Sequence, residues 1–250
     1  MELLLLGAVV FVAFLVEAAT GFGSVLVALT VGALWFPVTT LLGWLVPVNL
    51  VLSTYLVTRG WRSLDRVFLL RRALPLMIAG LAVGTVVTQV VDASALKPVF
   101  AGFVVAVALW QVRVAMVGAQ TRPLAAPVRV AALFGAGLVH GMFATGGPLA
   151  VLVAARELTD KAAFRATLSA VWVVLNLLVL PRLAHDGAVS LSTLRVSAVM
   201  LVPLALGIAA GEWAHHLLDE RRFRVVVGAL LVAGGAVLLV SSLSSASAPA

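Results

Sequence analysis

In the middle of a long apolar run, the chain reads Glu17-Ala18-Ala19-Thr20-Gly21-Phe22-Gly23-Ser24. A second interruption, with Thr145 standing 125 residues after Thr20, reads His140-Gly141-Met142-Phe143-Ala144-Thr145-Gly146-Gly147-Pro148. Glycine and proline break helices, and a break inside an apolar segment leaves backbone N–H and C=O groups without partners. A bilayer tolerates such a break only where it is buried in protein or lines a cavity. Matching breaks in two halves of a chain therefore indicate the binding site of a membrane transporter.

The composition indicates a polytopic integral membrane protein. Of the 250 residues, 63% are hydrophobic and only 11% are charged, and the mean hydropathy is +1.17. Soluble domains have roughly 45–50% apolar and about 25% charged residues. The net charge of +7 does not indicate a nucleic-acid partner, because the arginines lie in short loops between apolar runs rather than on one soluble face. The absence of cysteine excludes disulfides, thiolate metal sites and cysteine nucleophiles.

Apolar runs and helix breakers divide the chain into ten segments. The N-terminus lacks the positive region of a signal peptide, so we interpret the first run as retained structure. The predicted segments are 3–19, 24–38, 40–58, 67–90, 97–112, 129–143, 148–158, 166–182, 196–217 and 225–241.

Similar residues recur in the same order in the two halves of the chain. Thr20-Gly21 matches Thr145-Gly146, and Asn49 matches Asn176. Gly80 and Gly84 match Gly207 and Gly211 in a Gly-x-x-x-Gly spacing that we attribute to helix packing. We therefore expect an all-α integral membrane protein with two repeats, residues 1–120 and 121–250, of about five membrane segments each.

The basic residues orient these repeats. With five segments per half, and the first pair of each broken or re-entrant, 14 of the 17 basic residues fall on one side. They are Arg59, Arg62, Arg66, Arg71, Arg72, Arg113, Arg122, Arg129, Arg156, Lys161, Arg165, Arg221, Arg222 and Arg224. The positive-inside rule places that side in the cytoplasm. An odd number of segments per half inverts the second repeat, so both termini are predicted outside the cytoplasm of a multi-pass protein of the plasma (cell inner) membrane.

The inversion predicts that two new helix starts face each other near the membrane midplane. The first N–H groups of a helix have no intrahelical partner and carry a partial positive charge. Two such ends would form an anion site, and their glycines would let the anion approach the backbone closely. The residues that line it would be Ser24, Thr145, Gly147 and Pro148. The alternative is that the glycines only allow tight helix packing.

Both breaks resemble the signature motifs of a known family. Thr20-Gly21-Phe22-Gly23 and Thr145-Gly146-Gly147-Pro148, each after an apolar helix, resemble the two motifs of the sulfite exporter TauE/SafE family of membrane transporters. The resemblance covers essentially the whole chain and implies a secondary transporter of sulfite, sulfoacetate or related sulfonates. Many members carry a Gly-Gly-Gly run where this chain has Phe22 and Ser24 around Gly23, which leaves the substrate open.

Four further polar residues stand inside apolar runs, and each has two interpretations. Asn49 and Asn176 could bind the anion or could bond helix to helix. Glu17 is a candidate for proton coupling, or a solvated residue at a helix end. His140 is a second candidate for proton coupling, or a histidine that serves packing.

Two other functional classes stay open at this point. An anion channel could use the same breaks as a filter, and a membrane-embedded enzyme is disfavoured because no catalytic constellation is recognisable. We predict a non-enzymatic transporter without cofactor or metal, with a small anion and the lipid bilayer as partners. No nucleotide-binding P-loop is present, so active transport would draw on an ion or proton gradient. Whether the chain forms a homo-oligomer stays open.

Overall fold

The chain is helical throughout the part that the structure describes. The computed structural model describes residues 2–91, 93–117, 124–158 and 160–215. The helices are α1 (Glu2–Thr20), α2 (Ser24–Gly32), α3 (Val38–Gly60), α4 (Leu74–Val90), α5 (Ala93–Val117), α6 (Ala126–Phe143), α7 (Gly147–Glu157), α8 (Lys161–His185) and α9 (Leu191–His215). A 3₁₀ turn (Trp61–Ser63) follows α3, and a π turn (Phe68–Ala73) leads into α4. The prediction of an all-α protein is confirmed for these residues, and the predicted segment 225–241 lies outside them.

The second predicted segment, 24–38, is wrong in its length. Helix α2 ends at Gly32, and the chain then turns toward Pro37. The N–H groups of Trp35 and Phe36 both bond back to the carbonyl of Gly32, at 3.0 and 2.9 Å. Apolar residues fill this turn, so hydropathy alone could not separate it from the helix.

Five helical segments are long and apolar enough to cross a membrane. They are Val38–Ser63, Phe68–Val90, Ala126–Phe143, Lys161–His185 and Leu191–Trp213. On their outer faces, large apolar side chains such as Val86, Val202 and Leu206 are more than half exposed. A soluble protein rarely exposes such an apolar surface, whereas lipid covers it. The chain is therefore a multi-pass membrane protein.

The most buried pair of helices is α3 with α8, and it lies between two other pairs. Helix α1 packs along α9 on one side, and α4 packs along α6 on the other. Residues at the middle of α3 and α8 are consequently shielded from the surroundings by both outer pairs.

Glycines bring the helices of the outer pairs into backbone contact. A Cβ at Gly80 would stand 2.0 Å from the carbonyl oxygen of Phe134, and one at Gly211 would stand 2.6 Å from that of Leu15. No real Cβ approaches an oxygen so closely, so only glycine fits at these positions. The Gly-x-x-x-Gly pairs serve helix packing, as their spacing predicts.

Candidate functional site

The two helix breaks meet against α8. The side chain of Phe22 lies in the first break, and its Cδ2 is 3.7 Å from the point that a Cβ of Gly147 would occupy in the second. Trp172 of α8 donates its indole N–H to the carbonyl of Gly21 at 3.2 Å. The same indole lies parallel to the ring of His140, with 5.9 Å between the ring centroids and 8° between the planes. Trp172 thus contacts both breaks.

The backbone reverses at equivalent points in the two breaks. The N–H of Gly21 bonds to the carbonyl of Glu17 at 2.6 Å, and the N–H of Ala144 bonds to that of His140 at 2.7 Å. Both residues are left-handed, with φ of 88° at Gly21 and 50° at Ala144. Each break therefore ends its first helix four residues after a buried polar residue, Glu17 or His140.

A chain of hydrogen bonds joins those two polar residues across the protein. Asn49 Nδ2 donates to both carboxylate oxygens of Glu17 at 3.0 Å. Asn176 Nδ2 donates to Asn49 Oδ1 at 2.7 Å, and Asn176 Oδ1 lies 3.2 Å from Nε2 of His140. All four side chains are at most 3% exposed. Four helices, α1, α3, α8 and α6, contribute one member each.

The start of α2 is already occupied by an internal group, the carboxyl group of Glu17. The backbone N–H of Ser24, the first residue of α2, donates to Glu17 Oε2 at 3.0 Å, and the Ser24 hydroxyl donates to the same oxygen. Burying a carboxylate is costly unless hydrogen bonds compensate it, and here the donors of Ser24 and Asn49 do so. The interpretation of Glu17 as a solvated residue at a helix end is wrong, because its side chain is buried and bonded.

A small cavity lies between the two breaks. Its walls are formed by Glu17, Gly23, Val25, Leu26, Asn49, His140, Ala144, Thr145, Gly146, Gly147 and Trp172. The space open to the centre of a water molecule is about 20 Å³, enough for one or two water-sized groups. The starts of α2 and α7 both contribute to these walls, and the first N–H groups of a helix have no partner within it.

Seven of the predicted site residues line this cavity, namely Glu17, Gly23, Asn49, His140, Thr145, Gly146 and Gly147. Ser24 and Asn176 are hydrogen-bonded to residues that line the cavity. Ser24 bonds to Glu17, and Asn176 bonds to Asn49 and His140. Gly21 and Phe22 pack beside it, and Pro148 is buried in the first turn of α7. The side chain of Thr20 lies outside the described part of the chain.

Gly146 is constrained by packing rather than by its backbone angle. Its φ is −75°, which any residue can adopt. A Cβ at this position would stand 2.0 Å from the carbonyl oxygen of Ala136 in α6. The glycine therefore lets the start of α7 lie directly against α6.

The sequence interpretation missed Trp172 as a site residue. Trp172 is 5% exposed and lines the cavity. The available signal was its position four residues before Asn176, which puts both on one face of α8. Val25, Leu26 and Ala144 were also missed, because apolar residues carry no chemical signal.

The described residues offer no evident place for a metal. No group of three or more histidine, aspartate or glutamate side chains within this part of the chain could hold a metal ion. The polar groups at the cavity are instead amides, hydroxyls, one carboxylate and one imidazole.

Comparison with known proteins identifies the family. The model of the family described as sulfite exporter TauE/SafE matches residues 6–238. No curated protein and no solved structure matches the chain. The family match spans both helix breaks and the buried polar chain between them. This membrane protein therefore belongs to the sulfite exporter TauE/SafE family of transporters.

Proposed function

We propose that the chain is a secondary transporter that exports a small anion, bound between the two helix breaks. The observation that carries the proposal is the cavity itself, which faces the starts of α2 and α7 and is lined by Asn49, His140 and Thr145. Helix starts and side-chain donors are the groups that bind oxyanions in proteins. Thr20, Gly21, Phe22, Gly23, Ser24, Gly146, Gly147, Pro148 and Asn176 complete the proposed site.

The size of the cavity favours a compact substrate. About 20 Å³ of space for water-sized centres suits a compact oxyanion such as sulfite better than a longer organosulfonate. We therefore rank sulfite before sulfoacetate, with the larger anion requiring a wider conformation of the same site.

Glu17 and His140 are the candidates for coupling transport to a proton or ion gradient. Both are buried, both contact the cavity, and both are joined to the paired asparagines. Ionisable groups within a membrane protein commonly serve proton or ion pathways.

We further propose that residues 1–120 and 121–250 are repeats inverted in the membrane. Helix pairing supports this, because α1 with α9 and α6 with α4 are the same pair under exchange of the two halves, and α3 with α8 is its own equivalent. Glu17 and His140, which each bond to one of the paired asparagines, both stand four residues before a left-handed residue, and this supports it as well. With the positive-inside rule, both termini are outside the cytoplasm.

Single cysteines test that orientation, since the natural chain has none. We expect Arg195→Cys to react with a membrane-impermeant reagent applied to intact cells, and Arg62→Cys to react only after permeabilisation. The reverse pattern would contradict the proposed orientation.

Transport itself is tested in proteoliposomes loaded with radiolabelled sulfite. We expect saturable sulfite flux that responds to an imposed proton gradient, whereas an ohmic current would indicate a channel and the absence of flux would refute the transporter. Thr145→Val removes a hydroxyl at the cavity and should weaken sulfite binding about tenfold, as expected for one lost hydrogen bond to a charged ligand.

Thr30→Val is the matched control for this variant. The Thr30 hydroxyl is buried in α2 and donates to the carbonyl of Leu26 at 2.7 Å, and Thr30 itself is not among the residues that line the cavity. The same loss of a hydroxyl there should leave sulfite affinity unchanged. Equal effects of both variants would mean that Thr145 does not contact the anion.

A further inference from the structure

One ring nitrogen of His140 is left without a partner. Its Nε2 faces Asn176, but Nδ1 is buried and has no hydrogen-bond partner among the described residues. His140 is 2% exposed and lines the cavity. Buried polar atoms are nearly always hydrogen-bonded, so Nδ1 needs a partner from outside the described residues, and the cavity that His140 lines is where a ligand would supply one.

Which nitrogen of the His140 ring carries the hydrogen depends on Glu17, at the other end of this chain of hydrogen bonds. Glu17 accepts from the N–H and hydroxyl of Ser24 and from Asn49, so Asn49 turns its amide N–H groups toward Glu17 and its oxygen toward Asn176. Asn176 must then donate to that oxygen, and its own oxygen faces His140. A donor is required at Nε2, which leaves Nδ1 of the neutral ring as an acceptor.

Among the described residues, Arg165 of α8 packs beside Gly21 in the first break, but it pairs with Glu212 rather than with Glu17 or His140. The ion pairs in the described part join Arg72 and Arg129 to Glu157, Arg165 to Glu212, and Arg182 to Asp186. None of them involves Glu17 or His140. Helix α4, which packs along α6, has no titratable side chain between Leu74 and Val90.

We propose that Glu17, acting through Asn49 and Asn176, fixes His140 as the Nε2–H tautomer, so that the cavity selects small oxyanions that carry a hydrogen. Such an anion accepts from the helix starts and Thr145, and donates its O–H to Nδ1 of His140. An oxyanion without hydrogen would place a second acceptor against Nδ1 and leave both unpaired. This selection rests on the proposed anion site and names the ligand class within it.

Two probe anions test whether the O–H hydrogen of the ligand is what the cavity selects. Hydrogenselenite and bromate are both pyramidal and singly charged at neutral pH, but only hydrogenselenite carries an O–H. We expect the purified protein to bind hydrogenselenite at least about tenfold more tightly than bromate, the ratio that one unpaired hydrogen-bonding group produces. Isothermal calorimetry measures both affinities. Equal affinities would overturn the selection, and no binding of hydrogenselenite, bromate or sulfite would overturn the anion site itself.

Glu17→Gln should reverse the direction of the hydrogen bonds that run from position 17 to His140. The backbone N–H of Ser24 is a fixed donor, so it holds the oxygen of Gln at position 17 and turns the NH₂ group toward Asn49. Both asparagine amides then flip, Asn176 donates to Nε2 of His140, and the proton of the ring moves to Nδ1. We expect the preference for hydrogenselenite over bromate to fall to about one or below.

The tautomer is measured independently of any anion. Nitrogen-15 NMR of histidine-labelled protein distinguishes Nε2–H from Nδ1–H, and the signals lost in His140→Gln identify the residue. We expect Nε2–H in the natural protein and Nδ1–H in Glu17→Gln. The same tautomer in both proteins would overturn the proposal even if anions bind.

Ser53→Ala supplies the matched control. The Ser53 hydroxyl donates to Asn49 Oδ1 at 3.2 Å, so it is buried against the chain without standing between Glu17 and His140. Its removal should change neither the tautomer nor the anion preference. A change as large as that of Glu17→Gln would assign the effect to general disturbance of the site.

Discussion

The two helix breaks begin with the same left-handed reversal but differ in what occupies them. In the first, the carboxylate of Glu17 accepts from the N–H and hydroxyl of Ser24 at the start of α2. In the second, the buried polar residue before the reversal is His140, which bonds to Asn176 and whose Nδ1 has no hydrogen-bond partner among the described residues. The donors at the first break are therefore bonded to a side chain of the protein itself, whereas the second break is the one that we propose binds the ligand.

This difference teaches that duplicated motifs need not have duplicated roles. Two equivalent anion sites would double the positive potential at the cavity, and a single small oxyanion could not satisfy both. With Glu17 bonded to one helix start, the donors at the start of α7 remain for the proposed anion. The comparison leads to four predictions, which we give in order of decreasing effect.

Removing the internal anion should damage the protein more than removing the histidine. Glu17→Ala leaves the backbone N–H and the hydroxyl of Ser24 without their acceptor, while Asn49 keeps only the Ser24 hydroxyl oxygen at 2.9 Å, and each unsatisfied buried group costs about 1–3 kcal/mol. We expect a loss of about 3 kcal/mol or more in the free energy of unfolding, measured by denaturation in detergent. In this hydrogen-bond network, His140→Ala removes only the partner of Asn176, so it should lower the free energy of unfolding by less. Equal losses would mean that Glu17 does not stabilise the first break.

Supplying the second break with its own anion should abolish ligand binding. Thr145→Asp puts a carboxylate at the start of α7, as Glu17 does at the start of α2. We expect sulfite affinity to fall about 100-fold, which corresponds to about 2.7 kcal/mol. Thr145→Asn has nearly the same shape without the charge and should lose much less. Similar losses in both variants would indicate a steric rather than an electrostatic effect.

The left-handed positions of the two breaks hold glycine at 21 and alanine at 144. Exchanging these residue types should change the free energy of unfolding in opposite directions. Gly21→Ala places a Cβ at a φ of 88° and 3.1 Å from Cα of Arg165, so we expect a loss of about 1–2 kcal/mol. Ala144→Gly relieves a left-handed alanine and should be neutral or stabilising by up to about 1 kcal/mol. Thermal unfolding of both variants measures this. Destabilisation by both would mean that the Ala144 methyl, 4% exposed, contributes more through packing.

Loosening the contact between the breaks should have the smallest effect. Trp172→Phe removes the hydrogen bond to the carbonyl of Gly21 while keeping an aromatic ring beside His140. We expect a loss of about 1 kcal/mol in stability, typical of one neutral hydrogen bond, and a modest loss of sulfite affinity. Trp44→Phe, at a half-buried ring that packs on Phe36, is the control and should not change affinity. An equal loss of affinity in the control would remove Trp172 from the site.

Helices, membrane class and family could be predicted from the sequence because each depends on local patterns. Apolar runs, glycine breaks and the Thr-Gly motifs are visible in short windows, and they located most of the residues that line the cavity. The pairing of Asn49 with Asn176 was also visible as a repeat. Their direct bond was not, because a shared position in two repeats does not give a distance.

The asymmetry of the two breaks was decided by the tertiary structure alone. Sequence identifies Glu17 and His140 as ionisable residues in apolar runs, but it equally allowed a solvated Glu17. The packing of α3 against α8 between the outer pairs buries both residues and points the asparagine amides along one direction. Hydrogen-bond direction depends on which acceptor each donor can reach across four helices. The sequence therefore determined where the helices break and that they lie in a bilayer. Only the tertiary structure decided that the side chain of Glu17 fills one break while the other faces the cavity.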